Sequence, residues 1–158
     1  MHERITRIDV AGSLSGSTRE TPWRELLSQG EAVHRELRPG LSADYVEDML
    51  QVFMDGAHVT QLADEGTVQA LAVWRVFQTT YAGRRLEVDD LVTAAAQRSR
   101  GHGATLLRWL MSKARALDCQ IITLNSANHR LEAHRFYERE GFERFGVHFS
   151  KSLALHPE

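Results

Sequence analysis

The stretch that decides the fold is "QRSRGHGA", Gln97–Ala104. It follows the Val- and Leu-bearing run "RRLEVDDLVTA" (Arg84–Ala94) and leads into "TLLRWLMSKARAL" (Thr105–Leu117), so two glycines and two arginines stand where an extended segment turns into a helix. A helix start carries backbone N–H groups without intrahelical partners and the positive end of the macrodipole. Glycine there removes the Cβ that would keep a ligand off the backbone. The stretch therefore reads as an anion cradle, with phosphate the anion that best suits it.

Two familiar phosphate loops do not fit it. A P-loop would place Lys and Ser/Thr after the second glycine, where Ala104 and Thr105 stand, and a dinucleotide fingerprint would place a third glycine at Leu106. What remains is Arg98-x-x-Gly101-x-Gly103-Ala104 between a strand and an amphipathic helix.

Working outward, the chain reads as one mixed α/β domain. Ile5–Val10 alternates weakly as a first strand, and the Gly- and Ser-rich Ala11–Glu20 reads as a loop. Thr21-Pro22 predicts a helix start, and Trp23, Leu26, Leu27, Val33 and Leu37 carry helical spacing as far as Pro39-Gly40. Ser42 is the expected cap of a second helix, whose apolar stripe is Tyr45, Val46, Met49, Leu50, Phe53 and Met54. A meander follows: "HVTQLAD" and "TVQALAVWRVFQTTY" flank the turn signal Asp64-Glu65-Gly66, and a second turn at Ala82-Gly83 leads to the third strand. After the quoted loop come a helix, the short strand "QIITLNSA", a helix over Asn128–Glu140 closed by Gly141, and a last extended stretch or hairpin in "FERFGVHFSKSLAL".

The 158 residues, 42% hydrophobic and 25% charged, suffice for one domain with a sizeable core. A formal net charge of -2 gives no support to nucleic-acid or membrane-surface binding. One cysteine, Cys119, rules out an internal disulfide and reads as a small apolar residue near a helix end. With no apolar run near the roughly 18 residues of a membrane span and no signal-peptide core, a cytoplasmic location is expected. His129 and His134 lie off one helical face and match no metal spacing, so no metal is expected.

Leu86–Leu153 resembles the GNAT N-acetyltransferase superfamily, element by element. "LEVDDLVT" is similar to its fourth strand, Arg98–Ala104 to its Q/R-x-x-G-x-G/A pyrophosphate loop, and "IITLNSANHRLEAHRFYEREGF" to its fifth strand and following helix, with its "FYxxxGF" close. The resemblance implies a single-domain GNAT-like fold: a mixed, mostly antiparallel sheet with splayed central strands and about four flanking helices. An acceptor-side half would cover about residues 1–84 and an acetyl-CoA-binding half about 85–153. The cosubstrate it implies is acetyl-CoA, with the pyrophosphate on the backbone of Arg100, Gly101, His102, Gly103 and Ala104, aided by Arg98 and Ser99. The pantetheine would lie along Leu91, Val92 and Thr93, in the gap between splayed strands.

Acetyl transfer to an amine needs a base for the amine, a donor for the oxyanion and an acid for the departing thiolate. The resemblance places the oxyanion on the backbone N–H of Val92 or Thr93 and makes Tyr137 the acid; a phenol of pKa about 10 donates to a thiolate whose acid form sits near 8.5 without a steep step. Asn128 would cap its helix and bind pantetheine. For the base, Glu87 and Asp89 rank slightly ahead of Asp90, because strand alternation puts the first two on one face and Asp90 on the other.

The function implied is N-acetylation of a small-molecule or protein amine, with homodimer formation open; the alternative is an inert acyl-CoA-binding sensor or scaffold. The division of charge, with Glu87, Asp89 and Asp90 on the strand and Asp44, Glu47 and Asp48 at the start of the second helix on the acceptor side, and Arg98, Arg100 and Arg108 on the phosphate side, favours a cationic acceptor. In this family acceptor choice resides in the first two helices, the loop around Arg38–Ser42 and the last hairpin, where no motif names a partner.

Overall fold

A computed structural model describes residues 3–8 and 20–153. The Gly- and Ser-rich loop expected before the first helix lies mostly outside the described residues. The chain divides into two compact units, Met1–Leu124 and Asn125–Glu158.

The first unit is built on a five-stranded sheet in the order β1-β2-β3-β4-β5. Its strands are β1 (Glu3–Ile8), β2 (Ala57–Asp64), β3 (Thr67–Thr79), β4 (Gly83–Thr93) and β5 (Ile121–Leu124). The first four pair antiparallel and β5 joins β4 in parallel, so the sheet is mixed and mostly antiparallel, as expected. Glu65 and Gly66 both take positive φ (48° and 80°) in the β2–β3 turn, the geometry that matches strand twist in a tight hairpin.

Helices α1 (Glu20–Leu37) and α2 (Tyr45–Met54) cover one face, where Leu27, Tyr45, Met49, Val59, Leu71 and Val73 form a core. Helix α3 (His102–Ala116) covers the other, packing Leu106 and Leu110 on Trp74, Leu86 and Val88. The α2 cap is Asp44 rather than Ser42: its carboxylate accepts the Glu47 N–H at 3.1 Å, while the Ser42 hydroxyl turns to the Asp44 carbonyl. Gly30 sits mid-helix because α1 passes close over the sheet there; a Cβ would overlap Gln61 and Leu71. Cys119 follows α3 with its thiol 4.0 Å from the Leu117 carbonyl. Burial pushes that thiol's pKa up, partly offset by Arg84.

The second unit holds α4 (Leu131–Arg139). Gly141 (φ 89°) ends the helix as expected: its N–H bonds to the Glu138 carbonyl and that of Phe142 to the Tyr137 carbonyl, a Schellman close. The last strand does not form among the described residues. Phe142–Leu153 has no ladder partner, and Phe145, Val147 and Phe149 are exposed despite their alternation.

Candidate active site

Strand β4 sets the site. Leu86 and Val88 point into the α3-side core. Val88 opposes Trp74 and Asp90 opposes Val73, which leaves Asp89 as the extra residue of a β-bulge. The bulge resets the alternation. Asp89 bonds Arg75, Asp90 bonds the α1 residues His34 and Arg38, and Val92 enters the core under α1 and α2. Asp90 therefore shares a face with Glu87 and Asp89; strict alternation, which put it on the opposite face, fails at the bulge.

Each carboxylate is spoken for. Asp90 accepts His34 Nε2–H at 2.9 Å on one oxygen and Arg38 Nε–H at 2.7 Å on the other. Burial alone would raise its pKa, but hydrogen bonds and charge from His34 and Arg38 more than offset this and hold it below the usual value. Asp89 lies 2.7 Å from Arg75 Nη2. Glu87 accepts from the Thr123 hydroxyl and sits 3.2 Å from Arg85 Nη2. The acidic patch read from sequence is thus charge-compensated.

His34 was not among the residues singled out from sequence. It follows Leu27 by seven residues, which places it on the buried stripe of α1, and a buried imidazole demands partners. With Asp90 ionised, Nε2 is the protonated nitrogen, and Tyr45 donates its hydroxyl to Nδ1 at 3.0 Å. Burial, reinforced by Glu31 and Asp90 against Arg35, drives the Tyr45 pKa well above the usual phenol range.

Beyond the bulge, among the described residues, β4 has no ladder partner on its β5 side. The β4–β5 ladder ends at the pair Val88–Leu124, whereas β4 continues to Thr93. Leu91, Val92 and Thr93 thus run past β5, where splayed strands were expected.

The predicted anion loop comes next. Ala95–Gln97 forms a 3₁₀ turn, Arg98 is extended, and Ser99 (φ 64°) and Gly101 (φ 87°) are left-handed. Gly101 is the α3 cap, and a Cβ there would meet nothing within 4 Å, so open space faces the loop backbone. The first helical bond is Thr105 N–H to the Gly101 carbonyl at 2.9 Å, which frees the Gly103 and Ala104 amides from the helix ladder. Arg98 and Arg100 are exposed, while His102 is buried in the first turn. Glu36, at the end of α1, accepts the Ala95 N–H at 2.8 Å and lies 3.8 Å from Arg98 Nη2. Leu91–Ala104 thus runs from the end of β4 through the 3₁₀ turn to the first turn of α3, with Val92 and His102 buried and Arg98 and Arg100 exposed.

The remaining candidates belong to the second unit. Arg130 is the α4 cap, without a side-chain bond, so Asn128 does not cap the helix; it sits in the preceding turn, closed by Arg130 N–H to the Ala127 carbonyl. His134 Nε2 lies 3.0 Å from that same carbonyl. Tyr137 packs between Phe136 and Phe142, with ring centroids 5.2 and 6.0 Å away. Burial raises its pKa and Arg130 partly offsets this, so the phenol holds its proton at neutral pH. Among the described residues, no group of three His, Cys, Asp or Glu side chains could hold a metal, and no helix is long and apolar enough to cross a membrane.

The sequence profile of the Acetyltransferase (GNAT) family matches residues 23–142, more than half of the chain. An aminoalkylphosphonate N-acetyltransferase of Salmonella typhimurium is 25% identical over 127 residues, covering 80% of this chain and 79% of that protein. Among solved structures, an aminoglycoside N-acetyltransferase in complex with CoA shares the fold at TM-score 0.77 and 13% identity, covering 97% of this chain and 96% of its own. A Trypanosoma brucei acetyltransferase gives TM-score 0.73 at 18% identity, covering 96% of this chain and all of its own.

Proposed function

The chain belongs to the GNAT acetyltransferase family, and from that premise we propose that it transfers an acetyl group from acetyl-CoA to a primary amine by direct attack in a ternary complex. The observation that carries the reading is the loop Arg98–Ala104, with a left-handed, unobstructed Gly101 at the start of α3. Bound acetyl-CoA supplies the activated acyl group and a thiolate leaving group. Its pyrophosphate would rest on the amides of Gly101–Ala104 with Arg98 and Arg100 beside it. Its pantetheine would add to the free edge of β4 at Leu91–Thr93 as an extra strand, with Asn128 as a further hydrogen-bonding partner.

In the chemical step the amine nitrogen forms a bond to the thioester carbon and the C–S bond breaks. The N–H of Val92 or Thr93 would take the oxyanion, Glu87 or Asp89 would accept the amine proton through water, and Tyr137 would give its proton to the thiolate. Tyr137 rests on its place in "FYxxxGF" and on a phenol that burial keeps protonated. On this reading residues 85–153 serve the cosubstrate and residues 1–84 the acceptor, a small-molecule or protein amine, with cytoplasmic location and a homodimer as further expectations.

One observation favours the alternative, an inert acyl-CoA sensor or scaffold: Glu87 and Asp89 both carry arginine partners, so each carboxylate already has a structural ion pair. A thiol-release assay with acetyl-CoA against polyamines, aminoglycosides, aminoalkylphosphonates, amino acids and basic peptides decides between the two. Turnover of any amine supports the transferase. Calorimetric binding of CoA without turnover supports the sensor, and absence of binding removes both.

A further inference from the structure

The β4 bulge is held from outside the strand. A bulged residue has no cross-strand partner of its own, and the β5 ladder stops at Val88, immediately before it. From Asp89 onward β4 has a strand neighbour on the β3 side only. Two adjacent carboxylates sharing a face also repel each other. The structure answers with side chains from both sides. Arg75 of β3 takes the Asp89 carboxylate, while α1 takes Asp90 on both oxygens, through His34 at 2.9 Å and Arg38 at 2.7 Å. Arg38 Nη2 also reaches the Asp89 carbonyl at 3.4 Å, a contact to the bulge backbone itself. Tyr45 of α2 donates its hydroxyl to Nδ1 at the other end of the His34 ring.

We infer that His34 and Arg38 are positioning residues: by gripping Asp90 they hold the bulge, and with it the backbone of Leu91–Thr93. The inference rests on the proposed function in placing the thioester against that backbone. His34 is only 3% exposed and touches no open surface, so it acts through Asp90 and not on a substrate. Arg38 is 53% exposed, yet its guanidinium is committed to the bulge. The grip makes the β4 edge sensitive to α1, the element expected to shape the acceptor site, so an acceptor that moves α1 moves the oxyanion donor with it.

The test uses Arg38→Ala, Arg38→Lys and His34→Gln in the full chain. Arg38 is exposed enough that its variants keep the fold, and Gln at position 34 keeps a donor for Asp90. Two quantities are read: hydrogen exchange at the amides of residues 89–93 in the free protein, and kcat and KM for acetyl-CoA with the fastest amine of the panel. Arg38→Ala should speed exchange at 89–93 alone and lower kcat about ten- to hundredfold, with KM for acetyl-CoA within about twofold. Arg38→Lys keeps the charge and loses the two-nitrogen grip, so it should recover part of kcat, and His34→Gln should fall between Lys and Ala. Unchanged exchange and kcat in Arg38→Ala, or faster exchange spread evenly over the sheet, would overturn the inference. If the wild type turns over none of the amines in the panel, the transferase reading fails, and the exchange pattern still decides whether α1 holds the bulge.

Discussion

Glu36 and Ala95 join the end of α1 to the entrance of the anion loop: the Glu36 carboxylate accepts the Ala95 N–H at 2.8 Å. The same oxygen lies 3.8 Å from Arg98 Nη2, so one side chain both ties down the loop and, on the proposed function, would compete with the pyrophosphate for its arginine. The two roles separate by substitution. Glu36→Gln keeps an acceptor for the amide and removes the charge, and should tighten CoA binding by about two- to fivefold, the scale of an exposed charge pair. Glu36→Ala removes the tie as well and should bind more weakly than Glu36→Gln. Calorimetry with CoA orders the three proteins; identical affinities would mean that Glu36 does not act on the loop.

Gly101 is held at φ 87° with open space where a Cβ would stand. Gly101→Val meets no clash, only a backbone conformation that costs a β-branched residue about 1–3 kcal/mol. The loop should leave its conformation while the sheet persists. Acetyl-CoA affinity should fall about tenfold or more, since 1.4 kcal/mol is a decade, with an unaltered circular dichroism spectrum. Affinity equal to the wild type would detach this loop from the pyrophosphate.

Tyr137→Phe keeps the ring against Phe136 and Phe142 and removes the proton. If the phenol is the acid, kcat should drop by about 10²–10⁴ with CoA affinity unchanged. Because burial raises this pKa, the acid form survives above the ordinary tyrosine value. The alkaline limb assigned to it should therefore lie above about pH 10. A limb below that, or wild-type turnover in the variant, rules Tyr137 out as the acid.

Asp90 carries a stability prediction. Its folded pKa is depressed, so it contributes stability that is complete above the unfolded value near 3.9 and is lost as pH falls through the folded one. Asp90→Asn should lower the Tm at pH 6, where Arg38 loses its counter-charge and the His34 Nε2–H its ionised acceptor. The gap between the two proteins should close as the pH drops below about 4. A gap independent of pH would mean that the carboxylate's charge is not what His34 and Arg38 hold.

The elements were legible in the sequence because their signals are local: the Glu65-Gly66 turn, the apolar spacing of α3, the glycine close of α4. The turn into α3 was legible in part for the same reason, since Gly101 takes the left-handed cap, whereas the left-handed Ser99 carries no such mark. What was not legible depends on contacts distant in sequence. The face of Asp90 follows from a bulge against β3, which no pattern within β4 reveals. His34 meets Asp90 fifty-six positions away, and only its place on the Leu27 stripe hints at burial. The alternation in Phe145, Val147 and Phe149 promised a strand, but alternation states a readiness to pair and does not supply a neighbour.

Cys119, the chain's single thiol, has a practical consequence for every measurement of turnover. A thiol whose pKa is raised by burial is mostly protonated near neutral pH, and the protonated form scarcely attacks a disulfide. A chromogenic disulfide reagent therefore reads the released coenzyme over the slow background of a single protein thiol, which protein without acetyl-CoA measures. Colour beyond that background from protein and acetyl-CoA without acceptor would report hydrolysis of the thioester.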